Sequence, residues 1–334
     1  MRPKEYRIKE LLRKKGLDGA IVSSPENFHY VTGFGGHQHT VSRQPGFTLA
    51  VMRADDKVPT HLTTMDFEAA TFRIKAAGLN FVVDPYDTWV GLKTWDEIAH
   101  GAVVPDKTAM ESSMDKLVQF MKACDLANKK VGVQLDYLPV PYYKSLTEKF
   151  PEAEFVDISD LFVYARSVKQ PDEIEMFRNL CRIADHGFTE VSKIAKIGVS
   201  ERELSQCFRE DVIKSGFCAP SAWSMFSTGP SSARLTLPGD GVVKDGDVVK
   251  FDAGVNAEFD FYTTDTSRAW IIGNGDPVLL KLKDRLYEGQ RRMIAAAKPG
   301  LPINELYHTA YDYVKEMFPC YRRGHQGHSI SMGP

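Results

Sequence analysis

The sequence predicts an α+β protein of two domains. Three observations carry this. The 334 residues exceed the ~100–200 residues of one ordinary domain. The first half alternates short apolar runs with helical patterns. The second half gathers its strand-like segments into residues 242–272, with long helical patterns on either side.

In the first half, residues 4–15 predict a helix. Tyr6, Ile8, Leu11 and Leu12 recur at helical spacing, so the basic run KEYRIKELLRKK is one solvated face. DGAIVSS (18–24) predicts a buried strand, and residues 48–53 and 60–64 two more. A helix over 66–77 precedes the strand NFVVD (80–84). A helix near 115–127 precedes VGVQL (131–135), and a helix near 140–149 precedes EFVDI (154–158). Apolar runs of this length between helices imply a mixed or parallel sheet covered by helices.

The pattern changes near residue 167. From Pro171, the positions Ile174, Phe177, Leu180, Cys181 and Ala184 mark one helix face, and Asp172 and Glu173 suit its positive end. Ser200 and Glu203 form a capping box opening a second helix, which Gly216 closes. Further helices are expected at about 277–297 and 302–317. The domain boundary is placed between residues 160 and 172, giving domains 1–165 and 166–334.

The net charge of −2 gives no field for nucleic acid or acidic lipid. No apolar run reaches the ~18 residues of a membrane helix, and the N-terminus lacks the apolar stretch of a signal peptide. Five widely spaced cysteines without a CxxC fit reduced thiols, hence a cytoplasmic protein.

The chemistry concentrates in VVKFDAGVNAEFDFYTTDTSRAW (248–270). Aspartate is disfavoured in strands, yet Asp252 and Asp265 sit in two strand-like runs. A hairpin turning around residues 256–260 can set both carboxylates on one sheet face, with register deciding whether they meet. Gly254 permits a close approach by backbone or ligand. Two neighbouring buried carboxylates repel, and a divalent cation removes that conflict. The alternative is that both are loop or edge residues that never meet. RRGHQGHSISMGP (322–334) adds His325 and His328 amid glycines, with Ser329 and Ile330 expected in a strand returning toward the site. For each histidine alone, a hydrogen-bonded structural role is the plainer reading.

The combination DAG, DTSR and GHSIS, in this order, resembles the creatinase, prolidase and aminopeptidase P family. GLDGAIVSSPENFHYVTGF (16–34), ARSVKQPDEIEMFR (165–178) and STGPSSARLTLPGDGVVKDGDVVKFDAG (227–254) extend the likeness over nearly the whole chain. The resemblance implies an α/β creatinase-type N-terminal domain followed by a pita-bread catalytic domain, an antiparallel sheet backed by helices. It implies two divalent metal ions, with Mn2+ preferred over Co2+, Zn2+ or Fe2+. By motif match Asp252 resembles the first aspartate ligand, Asp265 the bridging one and His328 the histidine ligand. Arg268 resembles a supporting arginine, with a surface salt bridge as its alternative. The implied reaction is metal-assisted hydrolysis of short peptides before proline, by a homodimer without nucleic-acid or membrane partners.

Three departures qualify the match. The aspartate spacing is about two residues longer than the family's, which the turn can absorb. Thr236 stands about where family peptidases carry a substrate-loop histidine, so it is a candidate substrate-binding residue and a sign of altered substrate or rate. His325 lies three residues before His328, whereas relatives often have a histidine about four before. It is a candidate catalytic residue, with loop structure as the alternative. The family's two glutamate ligands fall beyond Pro334, so a C-terminal piece outside this sequence is expected. Trp89 and Trp95 are candidates for a substrate entrance or, more plainly, core or interface residues. GFGGHQH (33–39), with His37 and His39, is expected to be a flexible loop near a dimer partner. Two other functions stay open: a creatinase-like amidohydrolase, and a metal-free binding relative.

Overall fold

The structure is a computed structural model that describes residues 2–88, 94–101, 106–216 and 218–333. Trp89 lies outside these residues. Two compact units emerge. The first runs to Gln170 and includes Glu258–Phe261 and Gly333; the second comprises Pro171–Ala257 and Tyr262–Met332.

Among the described residues of the first unit, six strands form one sheet: β1 (Gly19–Val22), β2 (Leu49–Arg53), β3 (Thr60–Thr63), β4 (Phe81–Val83), β5 (Lys130–Val133) and β6 (Glu154–Asp157). Their order is β4-β3-β2-β1-β5-β6. The β1–β2 and β2–β3 pairs are antiparallel and the others parallel, so the sheet is mixed. The helices are α1 (Pro3–Lys14), α2 (Pro25–Thr32), α3 (His37–Val41), α4 (Ala69–Ala76), α5 (Trp95–Ala99), α6 (Ala109–Ala123), α7 (Val140–Lys149) and α8 (Ser159–Ser167). Leu117 and Met121 of α6 and Tyr142 and Leu146 of α7 bury against Ile21, Val51, Val131 and Val133 of the sheet. Trp95 opens α5 with 87% of its surface exposed, so it packs into no core.

Four helices of the first unit, α2, α3, α5 and α8, go beyond the sequence expectation. In α2, Ser24 caps the amide of Asn27 and Pro25 occupies the first turn, a helix start concealed inside an apolar run. The GFGGHQH segment is not the loop expected: it turns into α3, where the Gln38 amide donates to the buried Glu68 carboxylate at 2.8 Å. His39 packs its ring 4.8 Å from that of Phe28.

Burial pushes the His39 imidazole from 6.5 down to about 3. The folded unit keeps this ring neutral, whereas the unfolded chain protonates it near 6.5. The unfolded state therefore takes up the extra proton, and stability is lost as pH falls from about 6.5 toward 3, by up to ~1.4 kcal/mol per pH unit. Denaturant titrations at pH 7.0 and 5.5 should show wild type losing about 1 kcal/mol more than His39→Gln. Equal losses in the two proteins would remove His39 as the cause.

The second unit contains β7 (Cys218–Pro220), β8 (Met225–Thr228), β9 (Val248–Ala253), β10 (Val255–Ala257) and β11 (Thr266–Ile271), with helices α9 (Pro171–Ile194), α10 (Glu201–Lys214), α11 (Pro277–Ala296) and α12 (Ile303–Met317). All its strand pairs are antiparallel, in the orders β11-β9-β8 and β10-β7. The Ser200–Glu203 capping box opens α10, and Gly216 follows it at φ +110°. Along β9, Val249, Phe251 and Ala253 are buried, while Val248, Lys250 and Asp252 alternate onto the other face. The buried face meets α9 and α10 through packed aromatics: Phe251 lies 6.3 Å from Phe188, stacked, and 5.1 Å from Phe226, and Phe226 lies 5.5 Å from Phe208, both tilted. This helix-backed face fixes β9 and leaves Asp252 pointing away from the core.

Candidate metal centre

Register places the two aspartates together. Asp252 of β9 lies opposite Ser267 of β11, so Asp265, two residues before Ser267, belongs to the diagonal position of the same face. The turn between them falls at Glu258–Phe261, with the amide of Ala257 donating to the Tyr262 carbonyl at 2.8 Å. A close approach locks the two runs. A Cβ on Gly254 would stand 2.1 Å from the Thr264 carbonyl oxygen. Thr264 in turn donates its amide to the Val255 carbonyl, and its hydroxyl accepts the Val255 amide, both at 3.0 Å.

His328 reaches this face from the far end of the chain. Its Nε2 lies 2.8 Å from Oδ2 of Asp265, and its Nδ1 lies 3.0 Å from the Ser329 carbonyl. The carbonyl can only accept, so Nδ1 carries a proton and donates. The Asp265 carboxylate likewise accepts, so the ring that makes both hydrogen bonds carries a proton on each nitrogen, and release of the Nε2 proton leaves that lone pair on the aspartate side. The Ser329 carbonyl, and next the Asp265 charge, raise the His328 pKa above its ordinary value. Asp252 is half-buried; loss of solvent, and next the like charge of Asp265, raise its carboxyl above the usual range. The face thus holds two carboxylates in conflict and an imidazole held at both ring nitrogens.

The donor types on this face suit a hard divalent cation. Carboxylate oxygens and imidazole nitrogen are its ordinary ligands, and a cation would relieve the repulsion that Asp252 now feels. The arrangement is not a closed cage: among the described residues, no three His, Cys, Asp or Glu side chains stand together in metal-holding geometry. The His328–Asp265 hydrogen bond instead joins two of the three donors directly.

The other candidate residues lie elsewhere. Arg268 sits opposite Phe251, on the face turned from Asp252. It donates to Asp185 of α9 at 2.6 Å and to the Ser267 carbonyl at 2.8 Å, and lies over the Phe188 ring. Thr236 lines a groove of about 610 Å³ with Arg234, Leu235, Leu237 and Lys244; Asp252, Asp265 and His328 are not among its lining residues. His325 is exposed, and its carbonyl accepts from Arg323 Nε at 3.2 Å. Ser329 and Ile330 form no strand; the return is the single bridge between Met332 and Tyr262. Sequence reasoning missed two carboxylates. Asp185 is 83 residues from Arg268, with no local pattern linking them. Glu201 follows the visible cap Ser200, but the same capping motif draws attention to Glu203 instead.

Comparison with known proteins gives consistent matches. Residues 175–333 match the model of metallopeptidase family M24, and residues 6–168 that of the creatinase/prolidase N-terminal domain. An uncharacterized peptidase of Bacillus subtilis is 24% identical over 331 residues, covering 98% of this chain and 81% of the relative. An Xaa-Pro dipeptidase of Lactobacillus delbrueckii subsp. lactis is 24% identical over 330 residues, with the same two coverages. Among solved structures, an Xaa-Pro dipeptidase from Bacillus anthracis superposes with a TM-score of 0.79 at 22% identity, covering 99% of this chain and 82% of that one.

Proposed function

Because the chain belongs to the creatinase, prolidase and aminopeptidase P family, with an α/β creatinase-type domain ahead of a pita-bread domain, we propose that it is a metal-dependent peptidase cleaving short peptides before proline. The observation that carries this reading is the meeting of His328 Nε2 with Asp265 on the face that also bears Asp252.

Asp252, Asp265 and His328 would hold the cation, and Mn2+ suits a site dominated by carboxylates, with Co2+, Zn2+ and Fe2+ as competitors. A bound divalent ion lowers the pKa of water and polarises a carbonyl. Three donors account for one ion; a second requires further carboxylates. The protein's own residues prepare the site. The Ser329 carbonyl orients His328, and the Thr264–Val255 hydrogen bonds hold the backbone next to Asp265. Arg268 ties β11 to α9 through Asp185, a supporting role exerted through the strand. Thr236 and His325 are proposed on the substrate side, as binding and proton-transfer residues respectively. A cytoplasmic homodimer without nucleic-acid partners completes the proposal; no helix among the described residues is long and apolar enough to cross a membrane.

A creatinase-like amidohydrolase is the second reading, favoured by Thr236 standing where family peptidases carry a histidine. Hydrolysis of an Xaa-Pro dipeptide series, compared with creatine and with non-proline dipeptides, in Mn2+, Co2+ or Zn2+, separates the two. Release of proline only with metal present is the expected result. Metal binding with turnover of creatine alone would replace the first reading with the second. A chain that takes up no metal would point to the binding relative.

A further inference from the structure

The loop over residues 228–241, which carries Thr236, is anchored by one buried carboxylate. Glu201 is the first residue of α10 and only 3% exposed. Its Oε1 accepts the Thr228 amide at 2.9 Å and the Ser231 hydroxyl; its Oε2 accepts the Gly239 amide at 2.8 Å. Its own amide donates to the Gly241 carbonyl at 2.9 Å. One side chain therefore ties both ends of the loop to one helix start. Gly241 has to be small for this: a Cβ there would lie 2.7 Å from Glu201 Oε1. Between these anchors the loop has the short 3-10 turn Gly229–Ala233 and two exposed links, Lys250 Nζ to the Arg234 carbonyl at 3.0 Å and Arg202 Nε to Asp240 at 2.8 Å. The Thr236 hydroxyl bonds only as far as the next carbonyl, at 3.3 Å, and Leu235 and Leu237 are exposed.

We propose that Glu201 is a positioning residue, which holds the 228–241 loop in shape as a wall of the groove that receives the peptide substrate. The proposal rests on the peptidase reading above. The chemistry favours a carboxylate specifically. Three donors converge on two oxygens, and charge-assisted hydrogen bonds to a buried carboxylate are among the stronger ones. A glutamine has the same shape but turns an NH2 group toward at least one of these donors, leaving buried donors facing each other.

Two readouts on the full chain test this: the rate of native-state tryptic cleavage after Arg234, an exposed residue of the loop, and KM against kcat for an Xaa-Pro dipeptide. Glu201→Gln should raise the cleavage rate and KM each by about ten-fold, with kcat within about two-fold, because loss of a charge-assisted hydrogen bond releases the loop and not the reacting groups. Glu203→Gln, which alters only the exposed capping box of the same helix, should move neither. Ser231→Ala removes one donor while keeping the carboxylate; it should shift both readouts in the same direction by less, and it serves if Glu201→Gln does not fold. Unchanged cleavage in both Glu201→Gln and Ser231→Ala would overturn the anchor. Faster cleavage with unchanged KM would overturn the loop's substrate role. If wild type hydrolyses no Xaa-Pro peptide, the peptidase reading fails and takes the substrate role with it, while the cleavage rates still decide whether Glu201 holds the loop.

Discussion

Replacing Asp265 with alanine is expected to abolish stoichiometric metal uptake and to lower metal-dependent hydrolysis by at least about 100-fold, while leaving the fold intact. Outer-shell partners of metal ligands typically cost 10–100-fold when removed, so a direct ligand sets at least the upper part of that range. The stability forecast follows from the surroundings. Asp265 makes its ion pair with His328 at a position where the histidine side chain is 57% exposed, and exposed pairs contribute little. Removing Asp265 also takes away the like charge that helps raise the Asp252 carboxyl. Unfolding free energy should therefore stay within about 0.5 kcal/mol of wild type. Metal content per chain after incubation with Mn2+ and gel filtration, read beside a denaturant titration, checks both halves. A variant that retains wild-type metal stoichiometry would remove Asp265 from the ligand set, whatever its activity.

The parts of this site that could be read in the sequence are those set by local pattern. Aspartate inside β-branched and aromatic runs is costly without a reason, and Asp252 and Asp265 are indeed on one face of a hairpin-like pair. Alternation along β9 follows directly from VVKFDA, because Val249, Phe251 and Ala253 have a helix-backed core to fill. The mixed sheet of the first unit was similarly legible from its apolar runs. What escaped is what depends on distant partners. His39 looked like a loop residue because its short polar and glycine-rich context hides the Phe28 ring it packs against. Helix α2 was concealed because its residues are buried on every side, which erases the helical periodicity. Arg268 reads as a neighbour of the aspartates in sequence, but strand alternation turns it to the opposite face and into the carboxylate of Asp185. Thr236 and the aspartates are parts of one family motif order, yet groove and metal-donor face have different lining residues.

Gly254 shows how much of the donor geometry depends on an atom that is missing. A methyl group there would sit 2.1 Å from the Thr264 carbonyl oxygen, 2.7 Å from Ser221 Oγ and 2.8 Å from the Trp223 ring. The serine hydroxyl and indole have some freedom. The carbonyl has little, because Thr264 is hydrogen-bonded twice to Val255 and the next pair is the Asn256–Thr263 bridge. Gly254→Ala must therefore push the two runs apart, and forced repacking of this kind costs about 1–3 kcal/mol. The contact being to backbone, the upper part of that range is expected, equivalent to a Tm lower by about 5–10 °C for a unit of this size. Gly324→Ala is the matched control, since a Cβ there meets nothing within 4 Å; it should change stability by less than about 0.5 kcal/mol. The displaced Thr264 carries Asp265 with it in the chain, so Mn2+ affinity should fall in Gly254→Ala and stay unchanged in Gly324→Ala. Calorimetric titration with Mn2+ at a temperature where both variants are folded separates the two effects. If Gly254→Ala lost stability but bound Mn2+ as wild type does, the close approach would matter for the fold alone, and Asp265 would owe its position to β11.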